Sequence, residues 1–254
     1  MSPGQLPANW QAPPGVHAVC TLRSGGVSAA PYVSLNLGLH VGDDATAVAE
    51  NRRRVATALR LPGEPLWLQQ EHGAHVVDAD ARTPHGPADA VLTRHAGRVL
   101  AILVADCMPV LFASDDGSVL GAAHAGWRGL AAGVLEATVA AMRVEPGSIH
   151  AWLGPAIGAA HFEVGIEVRA AFLAHAPESA AGFAANARGR WQCDLALLAR
   201  QRLAALGVVR VWSAGLCSYA QEAQCFSYRR NGRTGRMAAL LWRSGAAIGK
   251  RVLE

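Results

Sequence analysis

Apolar positions along the chain fall into short, dense blocks rather than long periodic stretches. The blocks LWL (66–68), VLAILVA (99–105), VLFA (110–113), VLGAAH (119–124), IHAWLG (149–154), VVRVW (208–212) and MAALLW (237–242) have strand length. SDDGS (114–118) separates two of them and predicts a hairpin. Helical spacing occurs in four places. Over 44–60, Val48, Val55 and Leu59 share a face, with Asp43, Asp44 and Thr46 as candidate caps and LPG (61–63) as the stop. Gly129 to Met142 reads as one helix with Leu130, Val134, Ala137 and Ala141 on one side. Residues 165–175 form a third helix, and Asp194 caps a fourth that ends at Leu206–Gly207. Residues 226–254 combine an Arg/Gly turn with the MAALLW strand. Strands joined by short turns, not strictly alternating with helices, predict an α+β fold. It is expected to be a single domain over 1–254, with mixed β-sheets packed with helices.

Composition narrows the function classes. With 51% hydrophobic and 17% charged residues, the chain has the material for a large core and is not a disordered sequence. A net charge of +4 is too mild and dispersed to predict nucleic-acid binding, although it suits an anionic ligand. No apolar run approaches the roughly 20 residues of a bilayer span, so no membrane partner is expected. MSPGQLPANWQAPPG lacks the basic and apolar regions of a signal peptide. Cys20, Cys107, Cys193, Cys217 and Cys225 are odd in number and scattered, which argues against a disulfide framework and for the cytoplasm.

Three residues stand out as carriers of chemistry. His72 follows LWLQQE, Cys107 follows VLAILVA and one Asp, and His124 ends VLGAAH. Strand ends on a rigid sheet can hold such side chains in fixed geometry. One thiolate and two imidazoles suit zinc, with a fourth position left for water. The gaps of 35 and 17 residues match no short zinc motif, and His75, His85 and His95 are rival ligands. Cys217 and Cys225 read as core and loop cysteines. Arg52 falls on the apolar face of its helix and needs an anionic or hydrogen-bonding partner, unless its head reaches water. Arg202 meets the same test. In HAGWRGL (124–130), Trp127 is a stacking surface or a core plug, and Arg128 with the following helix start offers an anion site or an ordinary turn. YRRNGRTGRM (228–237) reads first as a solvated hairpin turn around Asn231-Gly232, and second as a phosphate cradle. Dinucleotide, P-loop, HExxH, GxSxG and cytidine-deaminase signatures are absent.

Seven segments together resemble a known family: TLRSGGVSAAPYVSLNLGLHVGDD (21–44), NR (51–52), QQEHG (69–73), DCMPV (106–110), HAGWRGL (124–130), GPAIG (154–158) and FSYRRNGRTGRMAAL (226–240). The family is the multicopper-oxidase-like, or laccase-domain, group regarded as purine nucleoside phosphorylases, whose bacterial members are also called peptidoglycan editing factor. The segments keep the family's order over nearly the whole chain, with Asn231 where Asp is usual.

The resemblance implies that His72, Cys107 and His124 bind the metal, Zn2+ before Cu2+, in a surface pocket at strand ends. It implies phosphorolysis of adenosine, inosine, guanosine and S-methyl-5′-thioadenosine, and deamination of adenosine. Cys107 and Arg52 would be catalytic, with Arg52, Asn36 and Arg128 binding substrate or phosphate. The expected partners are a small nucleoside and phosphate, and the expected state is a monomer. One reading that differs is an amidase editing peptidoglycan precursors, with Cys107 or a zinc-bound water as nucleophile and His124 or His72 as base. Another is copper-dependent polyphenol oxidation, which three such ligands are too few to support. A third is a non-catalytic binding protein using the Arg/Gly turn. The proton carrier is open among Asp106, Glu71 and water.

Overall fold

The computed structural model describes residues 2–81 and 86–245. His85 and the end of the 226–254 segment lie outside the described residues. In chain order, β1 (Gln5–Pro7) and β2 (Val16–Thr21) lead into α1 (Ala45–Leu59). Then come β3 (Pro65–Trp67), β4 (Val76–Asp78), β5 (Ala90–Thr93), β6 (Val99–Val104), β7 (Met108–Ser114) and β8 (Leu120–Ala125). α2 (Trp127–Ala131) and α3 (Val134–Met142) precede β9 (Ile149–Leu153) and β10 (Glu163–Val164). α4 (Ile166–Leu173), β11 (Phe183–Ala185), β12 (Trp191–Cys193) and α5 (Leu195–Ala205) follow. β13 (Arg210–Ser213), the single turn α6 (Tyr228–Asn231) and β14 (Met237–Arg243) complete the set.

The expected mixed sheets are present. One is five-stranded in the order β1-β2-β14-β6-β3, with β3 and β6 parallel. Another is six-stranded, β13-β9-β7-β8-β5-β4, with parallel pairs at both edges. A small antiparallel sheet, β10-β12-β11, completes the α+β arrangement.

Strand alternation explains the dense apolar blocks. In β6, Leu100, Ile102 and Val104 pack with Leu111 and Ala113 of β7 and Leu241 of β14 between the two large sheets. Their neighbours Val99, Ala101 and Leu103 pack on the other side with Val55 of α1 and with Leu35 and Leu37. In β7, Val110 and Phe112 face Leu135 and Val139 of α3 and Leu203 of α5. Both faces of these strands are therefore dry, so neither face selects polar residues. The SDDGS hairpin joins β7 to β8 in the register Ala113↔Leu120.

Two expectations need correction. The single helix over Gly129–Met142 is two, α2 and α3, because Gly133 adopts φ 91° between them. That break turns Leu135, Thr138, Val139 and Met142 inward in place of Ala137 and Ala141. The Arg/Gly segment is not a hairpin turn. Ser227 caps α6 by accepting from the Arg230 amide, and β14 pairs with the remote strands β2 and β6.

α1 begins under the cap of Asp44, which accepts from the Thr46 amide at 2.8 Å. Its buried Asn51 organises the long segment before it. Asn51 Nδ2 donates to Ser28 Oγ and to the carbonyls of Ser34 and Asn36, while Oδ1 accepts from the Val27 amide. The Asn51→Ala variant leaves those groups buried and unpaired. Denaturant unfolding should show a loss of about 2–4 kcal/mol; an unchanged midpoint and slope would refute this role for Asn51.

Candidate metal centre and its pocket

Sheet register assembles the site. Met108 pairs with Ala125 and Pro109 with His124, so one further step places Cys107 beside Gly126. On the other side of β8, Ala90 pairs with Ala123, which places Asp89 beside His124. The loop after β3 brings His72 to the same point. One donor atom from each of His72, Cys107 and His124 lies within 4.8 Å of the others. The two imidazole rings meet edge to face, 4.8 Å apart at their centroids. The three side chains are thus gathered where a metal ion could be held. The rivals His75 and His95 sit apart, His75 against the Pro87 carbonyl and His95 against Asp80.

The residue that organises the ligands is Asp89, which sequence reasoning missed. It is only 1% exposed. One oxygen accepts from His124 Nδ1 at 2.8 Å and from the His72 amide at 2.9 Å. The other accepts from the amides of Glu71 at 3.1 Å and Gly73 at 2.6 Å. A desolvated carboxylate must be repaid by such donors. Burial pushes its pKa up, but the bonds from His124 and the loop amides outweigh it and hold the carboxyl below its usual range, in the charged form. The signal in the sequence was an acid opening the apolar run ADAVLT.

The same electrostatics act on the sulfur. Burial pushes the Cys107 thiol up, but His124 and then His72 outweigh it by charge and hydrogen bonding, and it falls to about 6. Burial opposes the charge on His124, yet Cys107 and Asp89 carry it up to about 9. In the absence of a metal these shifts favour a thiolate beside an imidazolium, and the thiolate is the form that ligates or attacks.

Glycine is required where the elements converge. A Cβ on Gly126 would lie 2.7 Å from Cys107 Sγ, and one on Gly129 would lie 2.8 Å from the Gly73 carbonyl oxygen. The two glycines let α2 approach the ligand loops. Trp127 packs against the core and Arg128 lies over its ring at 4.5 Å. Trp127 is thus both plug and pocket wall.

The three residues line a cavity of about 500 Å³. Its cationic lining is Arg128, Arg229 and Arg236, joined by the imidazole of His40, and its aromatic lining is Trp127, Phe162 and Tyr228. Asp106 also lines it, with φ 92°; its carboxylate accepts from Ser218 Oγ at 2.6 Å and from the Arg229 amide at 2.7 Å. Sequence reasoning missed His40, Arg229 and Arg236 as individual residues. The Arg/Gly motif had marked their neighbourhood.

Two expected site residues are not part of this lining. Asn36 is fully buried, and its amide bonds with Gly38, Asp43 and the backbone of Arg236. That leaves its side chain no room for substrate, so the expected contact is corrected to a supporting one. Arg52 donates through Nε and Nη2 to the Leu37 carbonyl and lies 3.9 Å over the Trp67 ring. Its helix-face position reflects that clamp and not a place in the pocket lining. Arg202, flagged by the same test, is buried against Glu136. Cys217 and Cys225 are unpaired, Cys217 half-buried and Cys225 in the core.

Residues 17–244 match the family described as multi-copper polyphenol oxidoreductase laccase. A purine nucleoside phosphorylase of Pseudomonas aeruginosa is 50% identical over 93% of this chain and 97% of its own. The purine nucleoside phosphorylase YfiH of Escherichia coli is 47% identical over 92% and 96%. A crystal structure of a Neisseria meningitidis protein superposes with a TM-score of 0.91 at 45% identity, covering 95% of this chain and 100% of that one. YlmD from Geobacillus stearothermophilus gives 0.85 at 34% identity, covering 91% and 93%. The chain therefore belongs to the multi-copper polyphenol oxidoreductase laccase family, among relatives named as purine nucleoside phosphorylases.

Proposed function

We propose that this protein is a zinc-dependent purine nucleoside phosphorylase acting on adenosine, inosine, guanosine and S-methyl-5′-thioadenosine, with adenosine deaminase activity. The observation that carries the reading is the His72–Cys107–His124 cluster inside a cavity lined by three arginines and three aromatic rings. A cavity of this size suits a nucleoside. The relatives' names add the substrate class.

The donor set fits zinc. It offers one thiolate and two imidazoles, and Asp89 occupies Nδ1 of His124, leaving Nε2 to ligate. When bound, the ion supplies Lewis acidity at the pocket. The chain's own residues do the rest. Arg128, Arg229 and Arg236 neutralise phosphate and hold it for in-line attack on the ribose C1′. The glycosidic bond breaks as the C–O bond forms, and the electron pair leaves with the purine. Trp127, Phe162 and Tyr228 offer flat surfaces for the base. Arg52 and Asn36 act at one remove, holding the 36–38 segment and the backbone of Arg236.

One observation favours a second reading. Cys107, His124 and Asp89 stand in the order of nucleophile, base and orienting carboxylate, as an amidase editing peptidoglycan precursors would need. Metal content separates the two. Copper-dependent polyphenol oxidation is not favoured, because among the described residues this cluster is the one group of three metal donors. We propose a cytoplasmic location, which the unpaired cysteines suit, and a monomeric state; no described helix is long and apolar enough to cross a membrane.

The purified chain is expected to carry one zinc and to release base from inosine only with phosphate present. Cys107→Ala should lose both metal and base release; full activity in the metal-free variant would end the zinc proposal. Asp89→Asn unbalances His124 and the 71–73 loop together, so zinc affinity should fall about 10–100-fold. Competition with a chromogenic chelator measures this, and an unaltered affinity would show that Asp89 does not position the ligands. Gly126→Ala crowds the Cys107 sulfur and should weaken zinc in the same assay, whereas parental affinity would mean the packing tolerates a methyl there.

A further inference from the structure

Asp89 grips the loop that carries His72 from one side. On the other side stands Gln70, which lines the cavity two residues before His72. Its amide is committed to the protein. Nε2 donates to the Leu103 carbonyl at 2.9 Å, and Oε1 accepts from the Leu103 amide at 2.8 Å. Leu103 is only 5% exposed, so its backbone groups need partners within the protein. β3 pairs with β6 from Pro65↔Val99 to Trp67↔Ala101 and no further. Gln70 thus satisfies β6 with a side chain, two residues beyond the point where the main chain of β3 has left it.

The position of Leu103 gives this bond pair a consequence at the metal centre. β6 ends at Val104, and only Ala105 and Asp106 separate it from Cys107. Asp106 is itself fixed: its carbonyl accepts from the Ile157 amide at 2.9 Å, and its carboxylate from Ser218 and the Arg229 amide. Cys107 therefore has little freedom relative to Leu103. The three ligand segments are joined in pairs. Asp89 joins His72 to His124, and the β7–β8 register joins His124 to Cys107. Gln70 supplies the remaining tie, from the His72 loop to the segment that ends in Cys107.

We infer that Gln70 is a positioning residue of the metal centre, whose two bonds to Leu103 set the span between His72 and Cys107. His72 holds φ 62°, a conformation that persists only under constraint from its surroundings. Without Gln70, Asp89 still holds the amides of residues 71–73, but the loop can turn about that carboxylate. His72 then leaves its place while Cys107 and His124 keep theirs. The inference rests on the proposal that these three residues bind a metal, and its test reads the metal and not turnover.

The experiment compares the full chain with Gln70→Leu, His72→Ala and the double variant, each titrated with Zn2+ against a chromogenic chelator and loaded with Co2+ for spectroscopy. Gln70→Leu should weaken zinc about 10–100-fold. Its cobalt form should keep the near-ultraviolet thiolate-to-metal band of Cys107, while the visible bands weaken as water replaces an imidazole. His72→Ala should give the same spectrum, and adding Gln70→Leu to it should cost little further affinity, since both changes remove one ligand. A merely structural role predicts the same loss from Gln70→Leu in both backgrounds, and that result would overturn the inference. So would parental affinity and spectrum in Gln70→Leu, with the metal reading intact. A parent that binds neither ion would remove the metal reading and the role of Gln70 together. Should Gln70→Leu fail to fold, hydrogen exchange decides. Zinc should slow exchange of the Leu103 amide in the parent and not in His72→Ala, because a tie that favours the metal is favoured by it in return. An exchange rate indifferent to zinc in the parent would reject the tie.

Discussion

A carboxylate removed from water must find donors or lose its charge, and Asp89 finds four. Three come from consecutive amides of the loop that carries His72, and one from the imidazole of His124. Two of the three candidate ligands are therefore tied to one buried group. The third, Cys107, is placed by the β7–β8 register, which β5 extends to Asp89 itself. The site is thus a consequence of strand pairing. A slip of one residue in β8 would turn His124 to the opposite face and separate it from both Asp89 and Cys107.

Backbone strain marks the same place. His72 has φ 62° and Asp106 has φ 92°, conformations that residues with a Cβ seldom adopt. Each is held by buried hydrogen bonds: His72 through its amide to Asp89, and Asp106 through the Ser218 hydroxyl and the Arg229 amide. Gly126 and Gly129 complete the arrangement by letting α2 pack where no side chain fits. Ligand loops, helix and Arg/Gly segment meet around one cavity because each is fixed by a polar contact or a missing Cβ. None depends on flexibility to reach the others.

Much of this was legible in the sequence, for identifiable reasons. Strands buried on both faces leave apolar blocks, so β6, β7, β8, β9 and β14 could be found to within a residue or two. Asp44 and Asp194 are capping residues at helix starts and act as such. His72, Cys107 and His124 were visible because polar groups at the ends of apolar runs stand out. Asp89 has the same signature, but its role depends on a β5–β8 pairing that no local pattern reveals. Gly133 looked like one small residue among many, and only its positive φ shows that it splits the helix. Arg52 stood out on the apolar face of its helix and Asn36 came from the family resemblance alone; a polar group that binds substrate and one that clamps a loop leave the same trace in sequence. Conversely, Asn231-Gly232 suggested a hairpin, and the capping hydroxyl of Ser227 wins with a turn of helix.

Through the geometry that Asp89 sets, three residues far apart in sequence would share one divalent ion. Anomalous diffraction from crystals of the zinc-loaded protein, collected on both sides of the zinc absorption edge, tests it most directly. One strong peak is expected, about 2.3 Å from Cys107 Sγ and about 2.0–2.1 Å from a nitrogen of each of His72 and His124. A peak elsewhere, or one bound to only one of these residues, would contradict it.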